Sequence, residues 1–196
     1  MSETTALARY QSHYVAKKAF LSFMGSSFRL FDQSGQLAFF VKQKAFKLKE
    51  EITVFADEGM KEPQLRINAR SIIDISATYD VVDAATDEGV GALQRKGLKS
   101  LLRDEWSILD TDGIEVGRIT EDSGFMALVR RFLSNLIPQT FHVTMGEQQV
   151  GVIKQRFNPF LLSYDVDFSA AQAGGLDPRL GVAAVVLLLA IEGRQK

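Results

Sequence analysis

The sequence predicts an all-β protein: a closed antiparallel barrel of about twelve strands around a buried C-terminal helix, with one further helix inserted on the surface. Three observations lead there. A short signature recurs at constant spacing, each copy is accompanied by an acidic, glycine-containing turn, and a 12-residue apolar run closes the chain at 180–191.

The signature is an apolar residue, a polar or basic pair, then a small or polar residue and another apolar one. It reads VAKKAF from Val15, VKQKAF from Val41, INARSI from Ile67 and LQRKGL from Leu93, each 26 residues after the last. A degenerate copy begins at Ile119, again 26 on, and IKQRFN begins at Ile153, 34 further, which implies about eight inserted residues. Constant spacing over five copies is the mark of a repeated supersecondary unit. The turns are Asp32-Gln33-Ser34-Gly35, Asp57-Glu58-Gly59, Thr86-Asp87-Glu88-Gly89, Asp110-Thr111-Asp112-Gly113 and Met145-Gly146-Glu147. Glycine supplies the positive φ such turns need, and aspartate bonds back to nearby backbone N–H groups. Flanking runs such as those at Trp106, Ile114 and Tyr164 alternate and carry β-branched and aromatic residues, as strands do. Six units of two strands give twelve.

Two segments break the rhythm. Residues 124–136 place Phe125, Leu128, Val129, Phe132, Leu133 and Leu136 at helical spacing, with Arg130 and Arg131 opposite and Pro138 as a stop. This predicted helix accounts for the insertion. At 178–192, Asp177-Pro178 forms an N-cap and first turn, and Gly193 a stop, around a helix apolar on every side. Such a helix is a buried one. A barrel of about twelve strands is hollow, and a helix ~10–12 Å across suits that space.

Composition narrows the function. Lys plus Arg (23) nearly balances Asp plus Glu (24), so the net charge of -1 speaks against a dedicated nucleic-acid binder. The absence of cysteine removes disulfides, thiolate nucleophiles and Cys-based metal sites. No secretory signal is read in residues 1–14, and the apolar run is shorter than the ~20 residues that span a bilayer. One domain over 1–196 is expected, cytoplasmic or peripheral at a membrane, without transmembrane segment, metal or cofactor.

The stretches VKQKAFKLKEEITVFADEG, WSILDTDGIEVGRI and LDPRLGVAAVVLLLAIE, in this order and with the terminal helix, resemble the LURP-one-related family. That family stands with the phospholipid scramblases in the Tubby C-terminal-like superfamily, and the resemblance covers about residues 10–192. It implies a twelve-stranded barrel around a C-terminal helix. It also implies a binding role, since Tubby domains bind phosphoinositides through surface Lys and Arg. The chain departs from the scramblases in lacking their Cys-rich and Pro-rich segments and a hydrophobic tail beyond the apolar run, so scrambling is not expected.

Candidate chemistry is sparse. No catalytic constellation is found: the histidines are His13 and His142, and there is no G-x-S-x-G elbow. Asp110 to Gly113 begins like a calcium loop, but position 6 holds Glu115 rather than glycine and the flanks read as strands, so a turn is favoured. Gly89-Val90-Gly91 opens no helix and is a weak phosphate signal. The basic residues Lys42, Lys44, Arg95, Lys96, Lys154 and Arg156, with Lys17 and Lys18 at corresponding positions, would form a cationic band if the copies lay side by side. Such a band could hold an anionic lipid headgroup, with each charge worth ~1 kcal/mol near a membrane. Its plainer reading is a polar barrel exterior, and Arg130 and Arg131 read as the polar face of a helix packed on the barrel. The expected function is a non-catalytic binding module for anionic phospholipid or a protein partner. The alternative is a hydrolase or transferase at a barrel mouth, which needs His142 beside carboxylates such as Asp165 or Asp167. A small-molecule carrier is disfavoured because the helix takes the cavity.

Overall fold

In the computed structural model, residues 9–19, 26–43, 51–73, 76–96, 105–122, 138–158 and 161–191 are described. The predicted helix at 124–136, Lys44 and the stop at Gly193 lie outside them. The strands are β1 (His13–Ala19), β2 (Ser26–Phe31), β3 (Leu37–Gln43), β4 (Ile52–Phe55), β5 (Pro63–Ile73) and β6 (Ser76–Asp83). They continue with β7 (Gly89–Arg95), β8 (Glu105–Leu109), β9 (Glu115–Glu121), β10 (Thr140–Met145), β11 (Gln148–Arg156) and β12 (Leu161–Asp167). One helix, α1 (Pro178–Ile191), follows. The strands pair antiparallel in sequence order, and β1 closes on β12 from His13↔Asp167 to Ala19↔Leu161. The sheet is a closed barrel of twelve strands. It has no edge among its paired strands, which removes the hazard of a long exposed edge.

The short turns link β2–β3, β4–β5, β6–β7, β8–β9 and β10–β11, all at one end of the barrel. Asp32 and Asp110 act alike there. Asp32 Oδ1 accepts from Gln36 N at 2.9 Å, Asp110 Oδ1 accepts from Ile114 N at 2.8 Å, and Gly35 and Gly113 take φ of 79° and 81°. The calcium-like stretch is therefore a β-turn whose first aspartate is committed to backbone. Two turns differ from expectation: Met60 (φ 54°) and Asp87 (φ 63°), rather than Gly59 and Gly89, take the left-handed conformation. Five register shifts fall just before these turns, at Leu30/Phe31, Val54/Phe55, Val81/Val82, Ile108/Leu109 and Val143/Thr144. Bulges increase the local twist and bend, which helps a sheet curve into closure.

The six repeat copies occupy β1, β3, β5, β7, β9 and β11, alternate strands of the ring. In five of them the leading residue, Val41, Ile67, Leu93, Ile119 or Ile153, faces the core and is at most 1% exposed. The first copy is out of phase. In β1 the buried residues are Tyr14, Ala16 and Lys18, and Val15 faces outward. Side chains alternate with period two, so one residue of slip exchanges the faces.

Every residue of α1 from Leu180 to Ile191 is buried. The helix packs most against β5, β6, β7 and β1, and β1 stands opposite β7 in the ring. Gly91 of β7, with φ of 142°, lies where a Cβ would meet the Leu109 carbonyl and the Leu180 side chain. At the helix start, Asp177 Oδ1 accepts from Arg179 N at 2.8 Å, as the N-cap expectation requires. Arg179 bridges Asp177 (2.7 Å) and Asp83 of β6 (3.0 Å). Near the other end, the Lys18 ammonium donates to the Leu189 carbonyl at 3.1 Å and lies 5.1 Å from the Phe28 ring centre. A cation there complements the negative end of the helix dipole.

The phase slip makes Lys17 and Lys18 unequal. Lys18→Met should lower unfolding stability by about 1–3 kcal/mol, since it strips a charged bond from a buried carbonyl. Lys17→Met, on the outer face, should stay within about 0.5 kcal/mol in the same urea titration.

Candidate binding cleft and the dispersed basic residues

A cleft of about 480 Å³ opens beside the β1–β12 seam, lined by His13, Tyr14, Val15, Asp32, Gln33, Val152, Lys154, Asp165, Val166 and Asp167. Strand pairing builds it. His13, Asp167 and Val152 form one row across β1, β12 and β11, and Val15, Asp165 and Lys154 form the next. The β2–β3 turn supplies Asp32 and Gln33. Val15 and Val152 put apolar surface on either side of the two β12 carboxylates.

Hydrogen bonds tune the charges here. The Asp167 carboxyl is held below its usual range, first by the Ser169 backbone N–H (2.8 Å), against some desolvation, with further help from His13 at 3.1 Å. The Ser34 hydroxyl does the same for Asp32 at 2.7 Å, with backbone N–H groups adding to it. Burial pushes the Tyr14 phenol up to about 12, although the Gln11 N–H donated to its oxygen works the other way. Ser12 Oγ and His13 Nδ1 lie 2.9 Å apart, so Ser12, His13 and Asp167 form a hydrogen-bonded chain.

The two histidines share a ladder row, His13 on β1 and His142 on β10, with Asp167 and Val152 between them. The alternative enzyme reading placed His142 beside Asp165 or Asp167. The structure instead gives His142 to Asp122 (2.7 Å) and Gln149 (3.1 Å), and sets His13 beside Asp167. Strand order decides this: β12 neighbours β1 and β11, not β10. The sequence signal that could have found the cleft is the alternation of Asp165 and Asp167 on one face of β12, but the partner strands were not readable.

Among the described residues, the basic side chains do not form a continuous band. Their copies sit on alternate strands, and β3, β7 and β11 are four strands apart in a ring of twelve. Lys42 is exposed on β3. Arg95 shares the core face of β7 with Leu93 and pairs across to Trp106, while its neighbour Lys96 faces outward. Lys96 bonds Glu105 at 3.3 Å and Glu115 at 3.0 Å. Lys154 and Arg156 do share the outer face of β11, and Arg156 grips Asp165 at 2.9 and 2.8 Å. Adjacent basic letters alternate faces, so the doublets divide between core and wall.

The Lys96 cluster is a pH-sensitive tie. Arg118, above all, pushes the Glu115 carboxyl down to about 2, against desolvation, with the Ser107 hydroxyl (2.8 Å) and Lys96 adding to it. A carboxyl lowered by folding stabilises above its unfolded value near 4.5 and loses that advantage as pH falls toward about 2. Urea unfolding should therefore find the wild type more stable than Glu115→Gln near neutrality, with the difference vanishing close to pH 2.

No curated protein and no solved structure matches the chain. No helix among the described residues is long and apolar enough to cross a membrane. A family profile described as LURP-one-related matches residues 37–189, from the start of β3 into the last turn of α1. With the profile spanning most of the barrel and its helix, the chain belongs to the LURP-one-related family.

Proposed function

We propose that the chain is a single non-catalytic binding module, with α1 plugging the barrel lumen and the outer wall making contact with a protein partner. Family membership fits a binding module of the Tubby-like type. The observation that favours protein over an anionic phospholipid surface is the disposition of the outward cations. Lys96 and Arg156 are neutralised by carboxylates, and Lys42, Lys17 and Lys154 are spread over β3, β1 and β11, two strands from one to the next. A flat anionic surface meets one side of a barrel at a time, and ~1 kcal/mol per charge from one or two lysines is too little to hold it. The lumen offers no room to a small-molecule cargo if α1 fills it.

A second reading has one observation in its favour, the chain Ser12–His13–Asp167 at the cleft. It runs opposite to a serine hydrolase, with the hydroxyl on Nδ1 and the carboxylate on Nε2.

Flotation with phosphatidylcholine vesicles, with and without a phosphatidylinositol phosphate, should recover equal protein fractions. Enrichment on the phosphoinositide vesicles that disappears in Lys42→Glu/Lys154→Glu would establish the phospholipid reading instead. Turnover of p-nitrophenyl acetate should be the same for the wild type and Ser12→Ala. A wild-type rate ~100-fold or more above that of Ser12→Ala, the scale of a positioned acid–base group, would make the protein an enzyme.

A further inference from the structure

We propose that the cleft between β1, β11, β12 and the β2–β3 turn is a docking groove for a basic segment of a partner protein. It seats an arginine or lysine side chain, with the methylene stem on Val15 and Val152 and the charged head on Asp32 and Asp167. The inference rests on the reading that the partner is a protein, and it names the chemistry that partner presents.

Charge and shape both select such an occupant. Three carboxylates line the groove, Asp32, Asp165 and Asp167, against the ammonium of Lys154 and the imidazole of His13. An anionic group would meet carboxylates on two of the elements that form the walls. Asp165 is already held by Arg156, which leaves Asp32 and Asp167 to receive a cation. The hydrogen bonds to Asp32 from Ser34 and Gln36 both fall on Oδ1, as do those to Asp167 from His13 and Ser169. These turn bonds hold both carboxylates in place at the groove and favour their ionised form. The mostly apolar floor suits the stem of a long basic side chain, which gains by covering hydrocarbon while its head reaches polar groups. A volume of 480 Å³ takes one such side chain with the backbone on either side of it. Arginine fits best, because its planar fork can engage two carboxylates at once.

The test uses the full chain and a fluorescein-labelled hexapeptide of alternating glycine and arginine, read by anisotropy, with the glycine–glutamate hexapeptide as control. The arginine peptide should bind about tenfold or more tightly than the control, as expected for a charge-assisted contact. Asp32→Asn/Asp167→Asn should weaken it about tenfold, and so should Val152→Lys, which places a like charge on the floor. Asparagine can still accept the turn bonds at Oδ1, and an unchanged thermal melt identifies folded variants. Equal binding of the two peptides overturns the groove, as does undiminished arginine-peptide binding by folded double variant or by folded Val152→Lys. Phosphoinositide vesicles, included as a third probe, separate the two levels. Vesicle binding without peptide binding removes the protein-partner reading as well, whereas binding of neither removes the groove alone.

Discussion

A helix that is apolar on every side must be covered on every side. In α1 all residues from Leu180 to Ile191 are buried, at ~1.5–3 kcal/mol for each Val, Leu or Ile side chain. Strands from opposite parts of the ring, β1 and β5 to β7, provide the cover, and the closed sheet leaves none of them as a free edge. The clasps at the two ends of the helix follow from the same constraint. Arg179 ties the first turn to Asp83 on the sheet, and Lys18 meets a carbonyl of the last turn, so polar groups at the helix ends are not stranded in an apolar interior.

With the core given over largely to hydrocarbon, most of the charged side chains stand on the outer wall. That wall pairs its charges, Arg156 with Asp165 and Arg70 with Asp80 across adjacent strands, and Arg29 of β2 with Glu58 of the β4–β5 turn at 2.7 Å. Ion pairs this exposed contribute ~0–1 kcal/mol each, so their larger effect is on which surfaces the protein attracts. The seam between the first and last strands departs from this pattern. There two valines flank a pair of aspartates, and a turn from β2–β3 leans in to close a cleft.

The hairpin turns were legible because their chemistry is local. Asp32 and Asp110 act on backbone two to four residues away, and Asp177 caps the residues that follow it. The strand number was legible from the repeat period, and the buried helix from the lack of any polar stripe. The band of basic residues was less so. Letter alignment put Lys17 and Lys18 in step with the other copies, but a phase is fixed by what a strand packs against, and β1 is shifted by one residue. Arg95 belongs to the core face beside Trp106 because it stands two residues after the buried Leu93, whereas Lys96 next to it faces outward.

Hairpins of regular length and an apolar helix unable to face water follow from the order of residues alone. Both properties are written in neighbours a few residues apart. Which strands meet at the seam is set by closure of the ring, and with it that His13 stands with Asp167 while His142 stands with Asp122. Residues 154 positions apart are brought together there by ring closure, a boundary condition on the whole sheet to which no local segment responds.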